Sequence, residues 1–203
     1  MATIPDKKLA IIANYYAEGH SAREVADKFG FSIDAVYYFF RKHKIPRREP
    51  RENSIILFNK KPASFNVKKR LSIEERELKL AGIMLYWGEG SQWPGETAVD
   101  FANSNPGMIK IFLTFLRMIC GVADSKLRIY LYCYANQKPK KLMRYWSALT
   151  KISLQQFNKP YVRRDFKESK IGKMKYGLIH IRYHDKKLLL LIKKWISDFV
   201  DRY

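Results

Sequence analysis

Of the 203 residues, Glu89 carries the strongest chemical signal. It stands in Tyr86-Trp87-Gly88-Glu89-Gly90, at the end of a run from Ile73 that is apolar around much of a helix's circumference. An anion there faces the negative end of the helix dipole, so it needs compensation. A divalent cation supplies it, and so does a neighbouring Arg or Lys; the residues alone leave both open. Cys120, Cys133, His180 and His184 are the other ligand types in view. They form no CxxC and offer no third ligand at useful spacing, so they read as buried thiols and strand residues, not as a zinc site.

The elements that must position Glu89 follow from spacing. Ser72-Ile73-Glu74-Glu75 is a capping box that opens the Glu89 helix. Gly82 lies seven residues before Glu89, on nearly the same face, and with Ala81 it permits close helix approach. A strand in "AVDFANSN" and helices over roughly 106–119, 137–150 and 186–200 are expected next. In "KLRIYLYCY", Leu127, Ile129, Leu131 and Cys133 alternate with Arg128, Tyr130, Tyr132 and Tyr134. In "GLIHIRYHD", Ile179, Ile181 and Tyr183 alternate with His180, Arg182 and His184, and "KPYVRR" sets Tyr161 and Arg163 on one side. Period-two alternation predicts sheet strands with a core face and an aromatic, basic face.

The first 48 residues read differently. Leu9, Ile12, Ala13 and Tyr16 recur at helical spacing, and Gly19 ends the pattern. Ser21-Ala22-Arg23-Glu24 is a capping box for a second helix to about Phe29, Gly30 supplies a tight turn, and Ser32 caps a third helix to about His43. The third helix is expected to present Asp34, Ala35, Tyr37, Tyr38, Arg41 and Lys42, with Arg47 and Arg48 beyond. Residues 49–70 are basic and proline-broken, which predicts a tether between domains 1–48 and 71–203. Ile55-Ile56-Leu57-Phe58 is an apolar run within it.

Charge bounds the partners. Lys and Arg number 39 against 19 Asp and Glu, for a formal net charge of +20. Such an excess points to a polyanion, because cations that neutralise phosphates release condensed counterions. Charge by itself does not choose among DNA, RNA and an acidic membrane surface. No apolar run is long enough to span a membrane and no signal-peptide pattern opens the chain, which predicts a cytoplasmic protein.

Two resemblances sharpen this. "YYAEGHSAREVADKFGFSIDAVYYFFRKHKIPRR" resembles the resolvase-like and sigma-like helix-turn-helix families, apart from Lys44, where a Gly often stands. The resemblance implies a third helix in the major groove, with Tyr37, Tyr38, Arg41, Lys42, Arg47 and Arg48 at the DNA. "LAGIMLYWGEGS" resembles the LAGLIDADG motif of homing endonucleases, with Gly88-Glu89-Gly90 on its acid-glycine end. Trp87 and Leu85 depart from the motif's other polar positions. The second resemblance implies an α+β fold: a three-helix helix-turn-helix domain followed by a LAGLIDADG-like domain with an antiparallel, saddle-shaped sheet over double-stranded DNA. One motif per chain implies a homodimer through the 73–88 helix, with Ala81, Gly82 and Leu85 at the interface and one Glu89 from each protomer holding Mg2+. Lys173 or Lys175 would offset charge developing at a cleaved phosphodiester, and Arg128, Tyr130, Tyr132, Arg163, His180 and Arg182 would contact DNA. The alternative is a regulator that binds DNA with the same parts and does not cut it. An RNA-binding or recombination-accessory role is a third reading.

Overall fold

The computed structural model describes residues 3–164 and 174–203, and these divide into two compact units, Met1–Pro62 and Ala63–Tyr203. Lys173 lies outside the described residues.

The first unit is helical. A single 3-10 turn, Asp6–Lys8, leads into α1 (Leu9–Ala17), followed by α2 (Ala22–Phe29), α3 (Ile33–Lys42) and α4 (Pro50–Lys60). Ser21 and Glu24 form the expected capping box, Gly30 closes α2 in the left-handed region at φ 73°, and Ser32 caps α3. Ile12, Val25, Val36, Phe39 and Phe40 make the core, with Ala26 small enough to let α2 and α3 approach. Ala35, expected on the outer surface of α3, is part of this core. Lys44 adopts φ 54°, so the position where a Gly often stands does require a left-handed backbone.

The tether expected over 49–70 is not one. Residues 50–60 are α4, because Pro50 sits at the first helical position, where its missing N–H costs nothing. Glu49 and Glu52 close a capping box over that end. Lys60 Nζ donates to the Gly19 carbonyl at 3.0 Å, fixing the helix within the first unit. Residues 64–68 belong to the second unit: the Asn66 and Lys68 N–H groups donate to the Gly121 and Ile119 carbonyls, and Ser64 is held by Asp185.

The second unit is α+β. Its elements run α5 (Ile73–Glu89), β1 (Val99–Asn103), α6 (Pro106–Met118), β2 (Leu127–Tyr134), α7 (Pro139–Thr150), β3 (Tyr161–Arg163), β4 (Leu178–Tyr183) and α8 (Lys186–Val200). Among the described residues the sheet has four strands, in the order β1-β4-β2-β3. It is mixed, not antiparallel as expected: β4 pairs antiparallel with β1 and β2, but β3 runs parallel to β2. A parallel neighbour needs a long crossover, and α7 provides it. The inward strand residues, among them Phe101, Ile129, Leu131, Ile179 and Ile181, pack with buried side chains of α5, α6, α7 and α8 in one core.

Gly82 has its explanation in this core. A Cβ at that position would lie 2.1 Å from Phe115 Cγ, so the glycine is what lets α5 lie against α6 within the same chain.

Candidate nucleic-acid interface

Pleating sends the alternate residues of each strand to the opposite face of the sheet. The register then assembles them into rows. Asp100, Arg182 and Arg128 lie side by side across β1, β4 and β2; Ala102, His180 and Tyr130 form the next row; Leu178, Tyr132 and Tyr161 the third. Arg163 follows at the β3 edge, opposite Tyr134. Five residues that sequence alternation singled out on β2 and β4 (Arg128, Tyr130, Tyr132, His180 and Arg182) thus share one half-exposed surface. The rings of Tyr132 and His180 are 4.9 Å apart and those of Tyr132 and Tyr161 are 5.4 Å apart, which makes an aromatic ladder towards the sheet edge.

Two acids missing from the sequence reading control the other end of this face. Arg182 Nη2 donates to Glu96 at 3.0 Å, and its Nε stands 3.3 Å from Asp100 without a hydrogen bond. Asp100 also meets His180 Nδ1 at 2.9 Å. Glu96 and Asp100 are only 10 % and 13 % exposed, so these pairs are well shielded from water. Burial pushes the Glu96 carboxyl up, but the Thr97 and Ala98 N–H groups and Arg182 outweigh it and hold the group below its usual range. Tyr86, buried beside them, is raised to about 12 by burial. Asp100 was legible, since it alternates with Val99 and Phe101 and so must point outward. Glu96 lies in the loop before β1, where no periodicity exists to flag it.

Arg128 is likewise engaged, its guanidinium donating to the Ser125 and Leu127 carbonyls.

Glu89 ends α5 and is exposed, with neither an ion pair nor a side-chain hydrogen bond among the described residues. The chain beyond it is fixed to the sheet: the Ser91 N–H donates to the Asp100 carbonyl at 2.9 Å, and Gly90 bridges to Phe101. Glu89 therefore emerges at the β1 edge. Among the described residues no group of three His, Cys, Asp or Glu side chains stands where it could hold a metal. A magnesium ion needs no such group, because one carboxylate can hold it together with substrate phosphates and water. Lys175 is exposed, 5.4 Å from the Tyr176 ring. Ala81 and Leu85 are half-buried.

In the first unit, α3 exposes Tyr38, Arg41 and Lys42, with Tyr37 half-buried. Lys42 is tied to Asp6 at 2.7 Å. Arg47 lies over the Tyr37 ring, 4.7 Å from its centre. Arg48 lies over Tyr16 at 3.9 Å and donates to the His20 carbonyl. Among the described residues, no such interaction engages Tyr38 and Arg41, the remaining expected DNA contacts of this unit.

The chain matches no family model, no curated protein and no solved structure. No helix among the described residues is long and apolar enough to cross a membrane.

Proposed function

We propose that this chain binds double-stranded DNA through both units, α3 entering the major groove and the exposed sheet face of the second unit lying along the duplex. The observation that carries the reading is the in-register gathering of Arg128, Tyr130, Tyr132, His180 and Arg182 on a face turned away from the core, in a chain of net charge +20. In this reading Tyr38 and Arg41, exposed on α3, contact base edges and phosphates. Selection from a randomised duplex library tests it. One recovered sequence class is expected, with the preference lost in a Tyr38→Ala, Arg41→Ala variant. Uniform recovery by the wild type would remove α3 as a reader.

The LAGLIDADG-like reading of the second unit, and its homodimer, belong to the same proposal. Along α5, Leu80 and Trp87 stand two turns apart and are 44 % and 48 % exposed, with half-buried Met84 between them. Nothing lies within 4 Å of the place a Cβ would take on Gly88. Two copies joined along this stripe would bring their Glu89 ends together. Trp87→Glu is expected to yield monomers in sedimentation while leaving the fold intact; an unchanged sedimentation coefficient would exclude α5 as the contact.

A second reading, DNA cleavage, is favoured by the free, exposed carboxylate of Glu89. That side chain and DNA phosphates would hold Mg2+, which stabilises the attacking and leaving oxygens of phosphodiester hydrolysis. Cutting of a plasmid library with Mg2+ that is abolished by Glu89→Gln supports it. A folded wild type that cuts nothing, with duplex affinity unchanged by Glu89→Ala, leaves the DNA-binding regulator.

A further inference from the structure

β2 and β4 are hydrogen-bonded neighbours, yet residues 135–177 intervene between them in the chain. This insertion holds twelve Lys and Arg against two acids, so half of the chain's excess positive charge sits in it. Its described part surrounds a concavity of about 860 Å3, within the usual size range of binding sites. Pro139, Met143, Pro160 and Val162 line it, and Lys138, Lys140, Lys141, Arg144 and Lys159 stand around it. No carboxylate lines it among the described residues. All five cations are exposed, and none is in an ion pair or a side-chain hydrogen bond with a described residue.

That arrangement opposes the fold's own electrostatics. Five like charges repel across one concavity, and three of them stand where the helix dipole also repels them. Lys138 is the N-cap residue of α7, with no capping side-chain bond, and Lys140 and Lys141 follow in its first turn. Helices α2, α3, α4 and α5 each place an acid in the first turn, as the dipole favours. A bound polyanion removes both penalties at once.

We infer that the 135–164 segment is a phosphate clamp, which holds the sugar–phosphate backbone of duplex DNA without reading its sequence. The inference rests on the DNA-binding proposal and adds a surface that alternation along the strands does not reveal. Lysines dominate the rim, and Lys is a point charge suited to phosphates; base readout favours the planar fork of Arg. The methylene stems can lie over the apolar floor while the ammonium groups reach outward. Val162 of β3 is part of that floor, and its neighbour Tyr161 ends the aromatic ladder, so rim and sheet face meet at one edge strand.

The test is the salt dependence of duplex affinity for the full chain and for a variant with Lys138, Lys140, Lys141, Arg144 and Lys159 all changed to Gln. Each lost phosphate contact lowers the slope of log K against log salt by about 0.9. The variant is expected to lose roughly 4 to 5 units of slope and, at low salt, on the order of a hundredfold in affinity, equally for every duplex sequence. Circular dichroism and the unfolding midpoint should match the wild type, since all five side chains are exposed. A variant that binds like the wild type overturns the clamp and leaves DNA binding standing. A loss confined to one sequence overturns it in favour of base readout. Retained duplex binding with lost affinity for an acidic, apolar peptide overturns it in favour of a protein partner. A wild type that binds no duplex removes the clamp together with the reading it rests on.

Discussion

On the open sheet face Arg182 lies 3.0 Å from Glu96 and 3.3 Å from Asp100, and Arg128 turns its guanidinium onto backbone carbonyls. Around the concavity at α7, Lys138, Lys140, Lys141, Arg144 and Lys159 have no such partners among the described residues. Both surfaces are rich in cations, but those of the first are largely committed within the protein. Salt-dependent affinity comes from charge that is free to meet a phosphate. The sheet face should therefore contribute stability, shape and aromatic contact, while the α7 rim should contribute most of the non-specific attraction.

Exchanging the roles of the two surfaces would break this division. The largest effect on stability is expected from Arg182→Ala, which strands two shielded carboxylates. A cost of about 2 kcal/mol is expected, since Arg182 itself keeps some contact with water and such pairs lie below the range for fully buried ones. Chemical denaturation measures it; a change under about 0.5 kcal/mol would show that the sheet pairs do not stabilise the unit. Releasing the arginine is the next largest step. A Glu96→Gln, Asp100→Asn variant should bind duplex DNA several-fold more tightly, with a slope steeper by about one unit. An unchanged slope would mean that Arg182 cannot reach a phosphate.

Smaller effects sharpen the contrast. Lys141→Gln should cost about one unit of slope and leave stability within about 0.5 kcal/mol. Acid should separate the surfaces too. The folded-state carboxyl of Glu96 is held below its ordinary 4.5, so its contribution is present above that value and is lost as pH falls through the lowered one. Glu24 behaves alike in the first unit: the Ser21 backbone N–H and hydroxyl lower it to about 2, so its share of helix-cap stability fades between pH 4.5 and about 2. Glu24→Gln should flatten the acid limb of the first unit's unfolding curve, and an unaltered limb would count against the cap.

Much of this arrangement was legible because periodicity carries it. The alternation in "KLRIYLYCY" and "GLIHIRYHD" placed Arg128, Tyr130, Tyr132, His180 and Arg182 on one face, and the capping boxes at Ser21 and Ser72 marked two helix starts. What escaped lacked a period or depended on partners distant in sequence. Pro50 read as a breaker although at the first helical position it starts α4. Gly82 read as a contact between protomers, but its neighbour is Phe115 of the same chain. The parallel placement of β3 follows from the crossover through α7, which no strand pattern encodes. The basic rim stayed hidden because Lys138 and Lys159 come to line one concavity only after folding.

The central claim, duplex DNA binding, is tested most directly by titrating the full chain with a random-sequence duplex across a salt series, with structured RNA as competitor. Saturable binding is expected, weakening with salt at a slope of roughly −4 or steeper, with duplex DNA preferred over the RNA. No binding at low salt, or tighter binding to the RNA, would contradict it.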